Sequence, residues 1–415
     1  MTDPKTPEDV ETFRRRARGW LAEHMPPLPE LGDELAVEGD DDDQWTRARE
    51  LQRRLWDGGF AGICFPVEYG GLGLTPEHQR VFTEESLPYE MPLLLNVPTL
   101  SICAPVILEH GTQEQKKTHL PAVLRGDEVL VQFLSEPSGG SDLAGLITRA
   151  DRDGDVFMMN GAKIWSTSAY AADYALCLAR TDPTVPKHRG LTMFLIRTNL
   201  PGITMRRITQ VNGSTEFCEE FFDDVVITLD AVVGEVNDGW SVASRQLFHE
   251  RTAVGGGSPY VSGRGNRTAN RGRPDLIQLA RETGQLDDPG VREKIGESWV
   301  MHAVQEQLIA RITSAIVAGQ LPGPAASITR LFHAETDQRD ADLGVEIAGA
   351  AGVTGVVGQR GPLEMGTRYL MRQGASLGGG STEMSRNIIS ERLLGMPREY
   401  AADRDVPFNQ VKRSR

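Results

Sequence analysis

The stretch Leu134-Ser135-Glu136-Pro137-Ser138-Gly139-Gly140-Ser141-Asp142 decides the fold of this chain, together with Ala162-Lys163-Ile164-Trp165-Ser166-Thr167, which follows it. The first is a run of small residues, hydroxyls and turn formers, whose backbone amides are free to meet a polar ligand. The second places a flat aromatic ring and a hydroxyl two residues apart on a predicted strand, so both can face one planar heterocycle. The order and spacing of the two stretches together carry the inference, because either alone is common.

Helix-start signals recur in the residues before the first stretch. Thr6 can cap a helix whose first position is Pro7, and acidic residues follow at its positive end. Thr75-Pro76-Glu77 repeats this arrangement, and the segment from Thr112 to Gln115 is a capping box. The sequence therefore predicts a helical N-terminal domain over residues 1–126, with an acidic solvated loop from Gly39 to Asp43.

Short strand patterns dominate the chain after residue 126. Val156 to Met159 and Ala162 to Ser166 are predicted as two strands, joined by a hairpin turn at Asn160-Gly161. Further apolar runs bounded by turn residues cover residues 174–178, 191–196 and 221–227. Together they predict a compact middle β domain over residues 127–236.

Helical patterns return from Trp240 onward. Asp288-Pro289 can start a long helix with one apolar stripe, formed by Val291, Ile295, Trp299, His302, Ile309, Ile312 and Ile316. The sequence predicts a helical bundle over residues 237–400, an exposed arginine-rich interruption from Arg264 to Arg273, and a tail over residues 401–415. The order helical, β, helical indicates an α+β fold.

The composition is that of an ordinary soluble protein, with 39% apolar and 25% charged residues among 415. The net charge of −14 argues against nucleic acid as the main partner, because phosphate binding needs a basic surface. Neither the four cysteines nor the eight histidines show the spacing of a metal site or a disulfide framework. No signal peptide and no run of ~20 apolar residues is visible, so a cytoplasmic protein is expected.

The two opening stretches resemble the flavin-binding core of the acyl-CoA dehydrogenase family. There the first reads Thr/Ser-Glu-Pro-x-x-Gly-Ser-Asp and the second Lys-x-Trp-Ile/Ser-Thr. Residues 65–71, 111–115, 234–240 and 379–392 extend the resemblance over nearly the whole chain. It implies an N-terminal helical domain, a middle β-barrel-like domain, a C-terminal four-helix bundle, and FAD as the cofactor. It also implies α,β-desaturation of an acyl-CoA, by removal of the α-proton and transfer of the β-hydride to flavin N5.

The resemblance assigns FAD contacts to Gln132, Leu134, Ser135, Ser141, Trp165 and Thr167. The first three would border the pyrimidine side of the flavin, with Leu134 and Ser135 giving backbone or hydroxyl contacts. Trp165 would pack on the ring system, Thr167 would hydrogen-bond near N5, and Ser141 would lie near the phosphates of CoA or FAD. From the residues alone, the alternative is that Trp165 is a core aromatic and that the Ser-Gly-Gly-Ser run is an ordinary turn.

The family's catalytic base is a carboxylate, which its members carry at one of two positions. Many members carry it in a C-terminal loop, where this chain has Gly379 instead. The isovaleryl-type branch carries it on the first long C-terminal helix, directly before an arginine, as in Glu250-Arg251. The resemblance therefore implies Glu250 as the base, Arg251 as the neighbour that orders the site, and the Gly379 amide as donor to the thioester oxygen. A structural Glu250–Arg251 pair in an inactive subunit is the alternative, and Glu383 is interpreted as an acid at a helix N-terminus.

Two family motifs are altered. The usual Arg-x-x-Phe-Gly, which holds the FAD of a neighbouring subunit, is reduced to Arg281 followed by Glu-Thr-Gly. In the family, the motif Gln-x-x-Gly-Gly-x-Gly lies near the FAD pyrophosphate. In this chain the corresponding segment begins with Glu346 in place of the glutamine, and it contains Gly349. A carboxylate ~4 Å from a phosphate charge would cost on the order of 4 kcal/mol unless it is protonated or paired. Arg281, Glu346, Gly349 and, in the C-terminal loop, Ser381 are the remaining candidates for FAD contact.

The altered motifs resemble bacterial members that act on bulky acyl-CoAs such as sterol side chains, several of which assemble from two unlike chains. The predicted function is thus an FAD-dependent acyl-CoA dehydrogenase that passes electrons to an electron-transfer flavoprotein, as a homo- or hetero-oligomer, dimer or tetramer. Two alternatives stay open, a non-catalytic or half-site subunit and a flavin oxidase or monooxygenase on the same fold. Gly255 to Gly257 provide either room for a wide acyl group or a helix kink.

Overall fold

The computed structural model describes residues 8–28, 42–254, 256–263, 275–355 and 361–411. Its α-helices are α1 (Val10–His24), α2 (Asp42–Asp57), α3 (Pro76–Glu85), α4 (Ala104–His110), α5 (Gln113–Arg125), α6 (Gly239–Val254), α7 (Leu276–Glu282), α8 (Pro289–Val317), α9 (Ala326–Ala348), α10 (Ala350–Thr354), α11 (Met365–Met371) and α12 (Thr382–Arg392). Its strands are β1 (Leu130–Phe133), β2 (Arg149–Asp153), β3 (Val156–Thr167), β4 (Tyr174–Arg180), β5 (Leu191–Arg197), β6 (Ile203–Ile208), β7 (Phe217–Thr228) and β8 (Val232–Val233). A β domain thus lies between two helical regions, which is the α+β architecture expected from the sequence.

Capping residues set the starts of the N-terminal helices. Helix α1 begins after Asp9, whose carboxylate accepts a hydrogen bond from the Thr12 amide at 3.0 Å. The predicted helix start at Pro7 is wrong, because residues 8 and 9 are not helical and α1 begins at Val10. The predicted cap Thr6 lies outside the described residues, as do Gly255, the arginine-rich segment 264–273 and most of the acidic loop. Helix α3 begins after Thr75, and α5 begins after the capping box of Thr112. These two starts agree with the sequence prediction.

The eight strands form one mixed sheet in the order β6-β7-β3-β2-β4-β5-β8, with β1 pairing in parallel with β4. The predicted hairpin turn at Asn160-Gly161 is wrong, because β3 continues through both residues. A Cβ atom at Gly161 would lie 2.7 Å from the Thr148 Cα, so this glycine permits a close approach of two backbone segments. The chain reverses at Gly154 instead, between β2 and β3, where φ is +58°.

The largest hydrophobic core is continuous between the N-terminal helices and the sheet. It includes much of the segment Leu93–His110, which has the length and composition of a membrane span. This segment is 61% buried and packs against β1 and α6. It is therefore part of the interior that joins the helical and β regions.

The C-terminal helices pack around α9. Helix α8 begins after Asp288, which accepts hydrogen bonds from the amides of Gly290 and Val291, as the sequence predicts. The predicted apolar stripe of α8 is only partly covered, since Val291 is 5% exposed but Trp299 is 65% exposed. One side of this helix is thus open in the single chain.

The segment 401–411 packs against the β domain, although the sequence assigned it to a tail. Phe408 is buried, and the Arg180 guanidinium lies 3.4 Å from its ring centroid. Its amide donates a hydrogen bond to the Val185 carbonyl at 2.9 Å. Lys187 adds an ion pair with Asp403 at 2.8 Å.

Candidate active site

A buried ion pair joins β3 to the Ser-Glu-Pro loop, the name used below for residues 134–142. Lys163 Nζ donates hydrogen bonds to Glu136 Oε1 and to the Leu134 carbonyl, each at 3.0 Å. The Glu136 carboxylate also accepts from the amides of Ile147 at 2.6 Å and Thr148 at 2.9 Å. Burial acts to raise the pKa of Glu136, but Lys163 and these amides outweigh it, so the pKa is lowered. The loop is therefore fixed by an ionised carboxylate in the core.

Trp165 presents an open aromatic face beside this loop. A shift in the β3–β7 register between Ile164 and Ser166 gives Trp165 a φ of +65°, and its side chain is 55% exposed. Phe217 contacts it edge-on, with ring centroids 5.8 Å apart and an interplanar angle of 83°. Thr167 lies two residues farther along, at the end of β3. An exposed indole held at a bulge, with a hydroxyl nearby, fits a planar heterocycle.

Glu220 supports this bulge from inside the sheet and was missed in the sequence analysis. Its side chain is fully buried and lies opposite Lys163 in the β3–β7 register. The Ser166 hydroxyl donates to Glu220 Oε2 at 2.9 Å, while Oε1 has no hydrogen-bond partner in the part of the chain that the structure describes. Burial raises the pKa of Glu220 to about 8. The period-two burial pattern of β7, in which residues 218, 220 and 222 point inward, was the available signal.

Glu250 lies on α6 against strand β1. Gln132 Nε2 donates to Glu250 Oε1 at 3.3 Å, and Gln246 Nε2 donates to Gln132 Oε1 at 3.1 Å. Burial raises the pKa of Glu250, while Gln132, Arg251 and Arg330 act in the opposite direction. Because β1 leads directly into the Ser-Glu-Pro loop, this contact joins the predicted base to the predicted flavin site. A half-buried carboxylate with a raised pKa can act as a general base.

Gly379 approaches the same helix one turn beyond Glu250. Its φ is +70°, and a Cβ atom there would lie 3.3 Å from Val254 Cγ2 and 3.2 Å from Arg330 Nε. Arg330 donates from Nε to the Gly378 carbonyl at 3.0 Å and from Nη2 to the Ala375 carbonyl at 2.7 Å. The structure thus brings Gly379 close to α6, and adds Arg330, which no motif in the sequence indicated.

The residues expected to contact FAD from a neighbouring subunit form a second group, away from Glu250. Arg281 is exposed in the last turn of α7, Glu346 is exposed near the end of α9, and Gly349 follows α9. Helix α9 separates Glu346 from Arg330 by about 24 Å, at a rise of about 1.5 Å per residue. The single chain therefore does not unite these residues with the base.

Glu346 is paired with two cations. Lys294 Nζ lies 3.2 Å from its Oε2, and Arg339 Nη1 lies 3.4 Å from its Oε1. The cost of a carboxylate near a phosphate, calculated above for an unpaired charge, is reduced accordingly. Of the other two candidates, Ser381 caps α12 by accepting from the Met384 amide at 3.2 Å, and Ser141 is exposed in the Ser-Glu-Pro loop.

Three family models match consecutive parts of the chain. They are described as acyl-CoA dehydrogenase N-terminal domain, over residues 7–127, middle domain, over residues 132–225, and C-terminal domain, over residues 237–394. The chain belongs to the acyl-CoA dehydrogenase family. The family and fold class expected from the two opening stretches are thereby confirmed. Members of this family are flavoproteins, and the chain is accordingly an oxidoreductase that dehydrogenates an acyl-CoA.

Named relatives connect this acyl-CoA dehydrogenase with steroid-related members. "Acyl-CoA dehydrogenase IpdE1" of Mycobacterium tuberculosis is 33% identical over 393 residues, covering 94% of this chain and 99% of the relative. A solved "Tcur3481-Tcur3483 steroid ACAD" matches with a TM-score of 0.74 and 29% identity, over 96% of this chain and 100% of that one. The "ChsE4-ChsE5 complex from Mycobacterium tuberculosis" matches with a TM-score of 0.70 and 25% identity, over 96% of this chain and 100% of the matched chain.

Proposed function

We propose that this acyl-CoA dehydrogenase binds FAD at the Ser-Glu-Pro loop and Trp165, and that Glu250 removes the α-proton of the acyl-CoA. The contact between Glu250 and Gln132 carries the proposal, because it holds the carboxylate against the strand that enters the Ser-Glu-Pro loop. Bound FAD supplies the acceptor for the β-hydride. The alternative for Glu250 and Arg251, a structural ion pair in an inactive subunit, predicts no flavin bleaching by any acyl-CoA.

The protein's own groups divide the proton chemistry between them. The Glu250 carboxylate takes the α-proton, and its raised pKa brings it closer to neutrality, where a general base contributes ~10²–10⁴-fold to the rate. The Gly379 amide donates to the thioester oxygen, on which negative charge develops. Loss of one such donor typically costs ~3–4 kcal/mol of transition-state stabilisation. Arg251, next to Glu250 on α6, balances the charge of the ionised base.

The Ser-Glu-Pro loop and the β3 bulge provide the groups for the cofactor. Leu134 and Ser135 offer backbone or hydroxyl contacts to the polar edge of the flavin, and the open face of Trp165 covers the ring. Thr167 and Ser141 offer hydroxyls, to the ring and to a phosphate respectively. Lys163 and Glu220 hold these elements from inside the sheet without touching the ligand. The site is therefore preorganised by buried contacts.

We propose an oligomer in which Arg281, Glu346 and Gly349 complete the FAD site across a subunit interface, whereas Ser381 lies in the same loop as Gly379. The separation of about 24 Å between Glu346 and Arg330 along α9 supports this arrangement, because it places Glu346 far from the base of its own chain. The exposed Trp299 on α8 supports association through the helical bundle. Both solved relatives carry two-component names, so an unlike partner chain is the arrangement to test first.

A steroid-derived acyl-CoA is the proposed substrate class, on the strength of the steroid dehydrogenase relative. The test is anaerobic mixing of the FAD-loaded protein with acyl-CoAs from short linear to sterol-like esters. Bleaching of the flavin absorbance by one class supports dehydrogenation and identifies the substrate, whereas no bleaching by any ester would contradict it. A protein that retains flavin only with a second chain would support the mixed assembly. Peroxide released during turnover in air would indicate an oxidase, in place of transfer to an electron-transfer flavoprotein.

A further inference from the structure

Arg330 is a buried guanidinium at the start of α9. Its side chain is 1% exposed, although arginine is seldom fully buried. Nε and Nη2 donate to the carbonyls of Gly378 and Ala375, which precede Gly379. These donors form a planar fork, so they fix both the position and the orientation of the backbone that they contact. We call residues 372–381 the C-terminal loop.

Within the described ranges, the hydrogen bonds leave the charge of Arg330 without a directly bonded carboxylate. Its partners are carbonyl oxygens, and Nη1 is buried without a hydrogen-bond partner among the described residues. Burial lowers the pKa of Arg330, and the carboxylates of Glu250 and Asp337 act against this. A buried cation without a bonded anion is costly. Because the Gly379 Cβ position lies 3.2 Å from Arg330 Nε and 3.3 Å from Val254 Cγ2, this cation packs close to α6, one turn from Glu250.

The charged and titratable groups around Glu250 lie on three elements. Arg251 is on the same helix, Arg330 comes from α9, and the Cys103 thiol comes from the segment before α4. Burial raises the pKa of the Cys103 thiol, so it carries no charge at neutral pH. Among the residues that the structure describes, Arg330 is therefore the cation supplied to Glu250 from a helix other than its own. The same side chain holds the loop that bears Gly379.

We propose that Arg330 is a positioning residue with two roles, one electrostatic and one mechanical. Its charge favours the ionised form of Glu250, and its fork holds the C-terminal loop so that the Gly379 amide faces the thioester oxygen. This inference rests on the proposed function and names a residue that couples the base to the oxyanion donor. Arg330 acts through the loop and through Glu250, because its Nε and Nη2 donors are engaged by the Gly378 and Ala375 carbonyls.

Two substitutions separate these roles. Arg330→Gln removes the charge and retains donors for a loop carbonyl, whereas Arg330→Lys retains the charge and removes the fork. Arg386→Gln is the matched control, because Arg386 is an exposed arginine that pairs with Glu335 of the same helix, α9. For each variant we would measure the pH dependence of flavin reduction by an acyl-CoA, the apparent substrate Kd, and amide hydrogen exchange in residues 375–381.

The inference predicts different results for the two variants. In Arg330→Gln, the acid limb of the rate profile moves to higher pH by about one unit, because an opposite charge no longer favours the ionised base. In Arg330→Lys, the acid limb stays in place, but loop amides exchange faster and the Kd rises about tenfold, since hydrogen bonds to the loop are lost. Arg386→Gln matches the wild type in all three measurements.

An unmoved acid limb in Arg330→Gln would overturn the electrostatic role, and unchanged loop exchange in Arg330→Lys would overturn the mechanical role. Absence of flavin reduction in the wild type with every acyl-CoA would instead contradict the proposed function. In that case the exchange measurement still decides whether Arg330 holds the loop. The two failures are therefore distinguishable.

Discussion

Replacing Lys163 by methionine tests whether the buried ion pair with Glu136 holds the Ser-Glu-Pro loop. Both side chains are almost fully buried, and Lys163 Nζ makes two hydrogen bonds of 3.0 Å. Removing one partner of a buried pair leaves an uncompensated charge, which typically costs ~3–5 kcal/mol. The amides of Ile147 and Thr148 still bind the carboxylate, so we expect the lower end of this range, about 3 kcal/mol.

Urea unfolding followed by fluorescence measures this loss, and FAD retention after gel filtration measures its effect on the site. The exposed Lys117 on α5 offers the control, since Lys117→Met should change stability by no more than about 0.5 kcal/mol. In the double variant Lys163→Met/Glu136→Gln, the loss should be smaller than the sum of the two single losses. A Lys163→Met protein that retains FAD and unfolds within about 1 kcal/mol of the wild type would refute the reasoning.

The ion pair of Lys163 and Glu136 also makes the stability of the folded protein depend on pH. The pKa of Glu136 is lowered in the folded protein. The ionised carboxylate therefore contributes fully to the free energy of unfolding above its unfolded-state pKa, and this contribution is lost as the pH falls through its folded-state pKa. Lys163→Met removes the main charge that lowers this pKa. Its acid unfolding midpoint should therefore lie at higher pH than that of the wild type, as measured by circular dichroism.

Three further substitutions probe the two halves of the site. Burial raises the pKa of Glu220 to about 8, so the folded protein holds a proton that the unfolded chain releases. Its stability therefore falls as the pH rises from the usual glutamate range to about 8. Glu220→Gln should abolish this dependence, as measured by melting temperatures at pH 5 and 9. Trp165→Ala should weaken FAD binding about tenfold in a flavin titration, with little change in melting temperature, because the indole is 55% exposed. Gly379→Ala should slow flavin reduction about tenfold in stopped flow, since a φ of +70° costs alanine ~1–2 kcal/mol and Arg330 Nε crowds the added methyl group.

The sequence predicted the parts of the fold that local chemistry determines. Capping residues marked the starts of α3, α5 and α8, because a side-chain oxygen satisfies free amides at a helix start wherever it occurs. The hairpin prediction at Asn160-Gly161 was wrong because the same dipeptide serves turns and close backbone contacts. Only the position of Thr148, contributed by another segment, distinguishes the two uses. Such a contact is tertiary and leaves no local signature.

The site was predicted unevenly for the same reason. Trp165 and Glu250 belong to motifs that can be recognised in one segment. Lys163 belongs to such a motif too, but its role depends on Glu136, 27 residues away, and on burial of both side chains. Glu220 follows an alternating pattern that indicates an inward position, yet its protonation depends on the packed sheet. Arg330 gave no signal, because its function arises from the carbonyl groups of a loop 45–48 residues away.

The central claim is that Glu250 takes the α-proton, and one comparison tests it most directly. Wild type, Glu250→Gln and, as the matched control, Glu383→Gln would each be loaded with FAD and mixed anaerobically with the best acyl-CoA from the panel. Glu383 lies in the first turn of α12, as a glutamate near the same loop. The account predicts bleaching in the wild type and in Glu383→Gln, and none in Glu250→Gln with FAD still bound. Bleaching that persists at the wild-type rate in Glu250→Gln would contradict it.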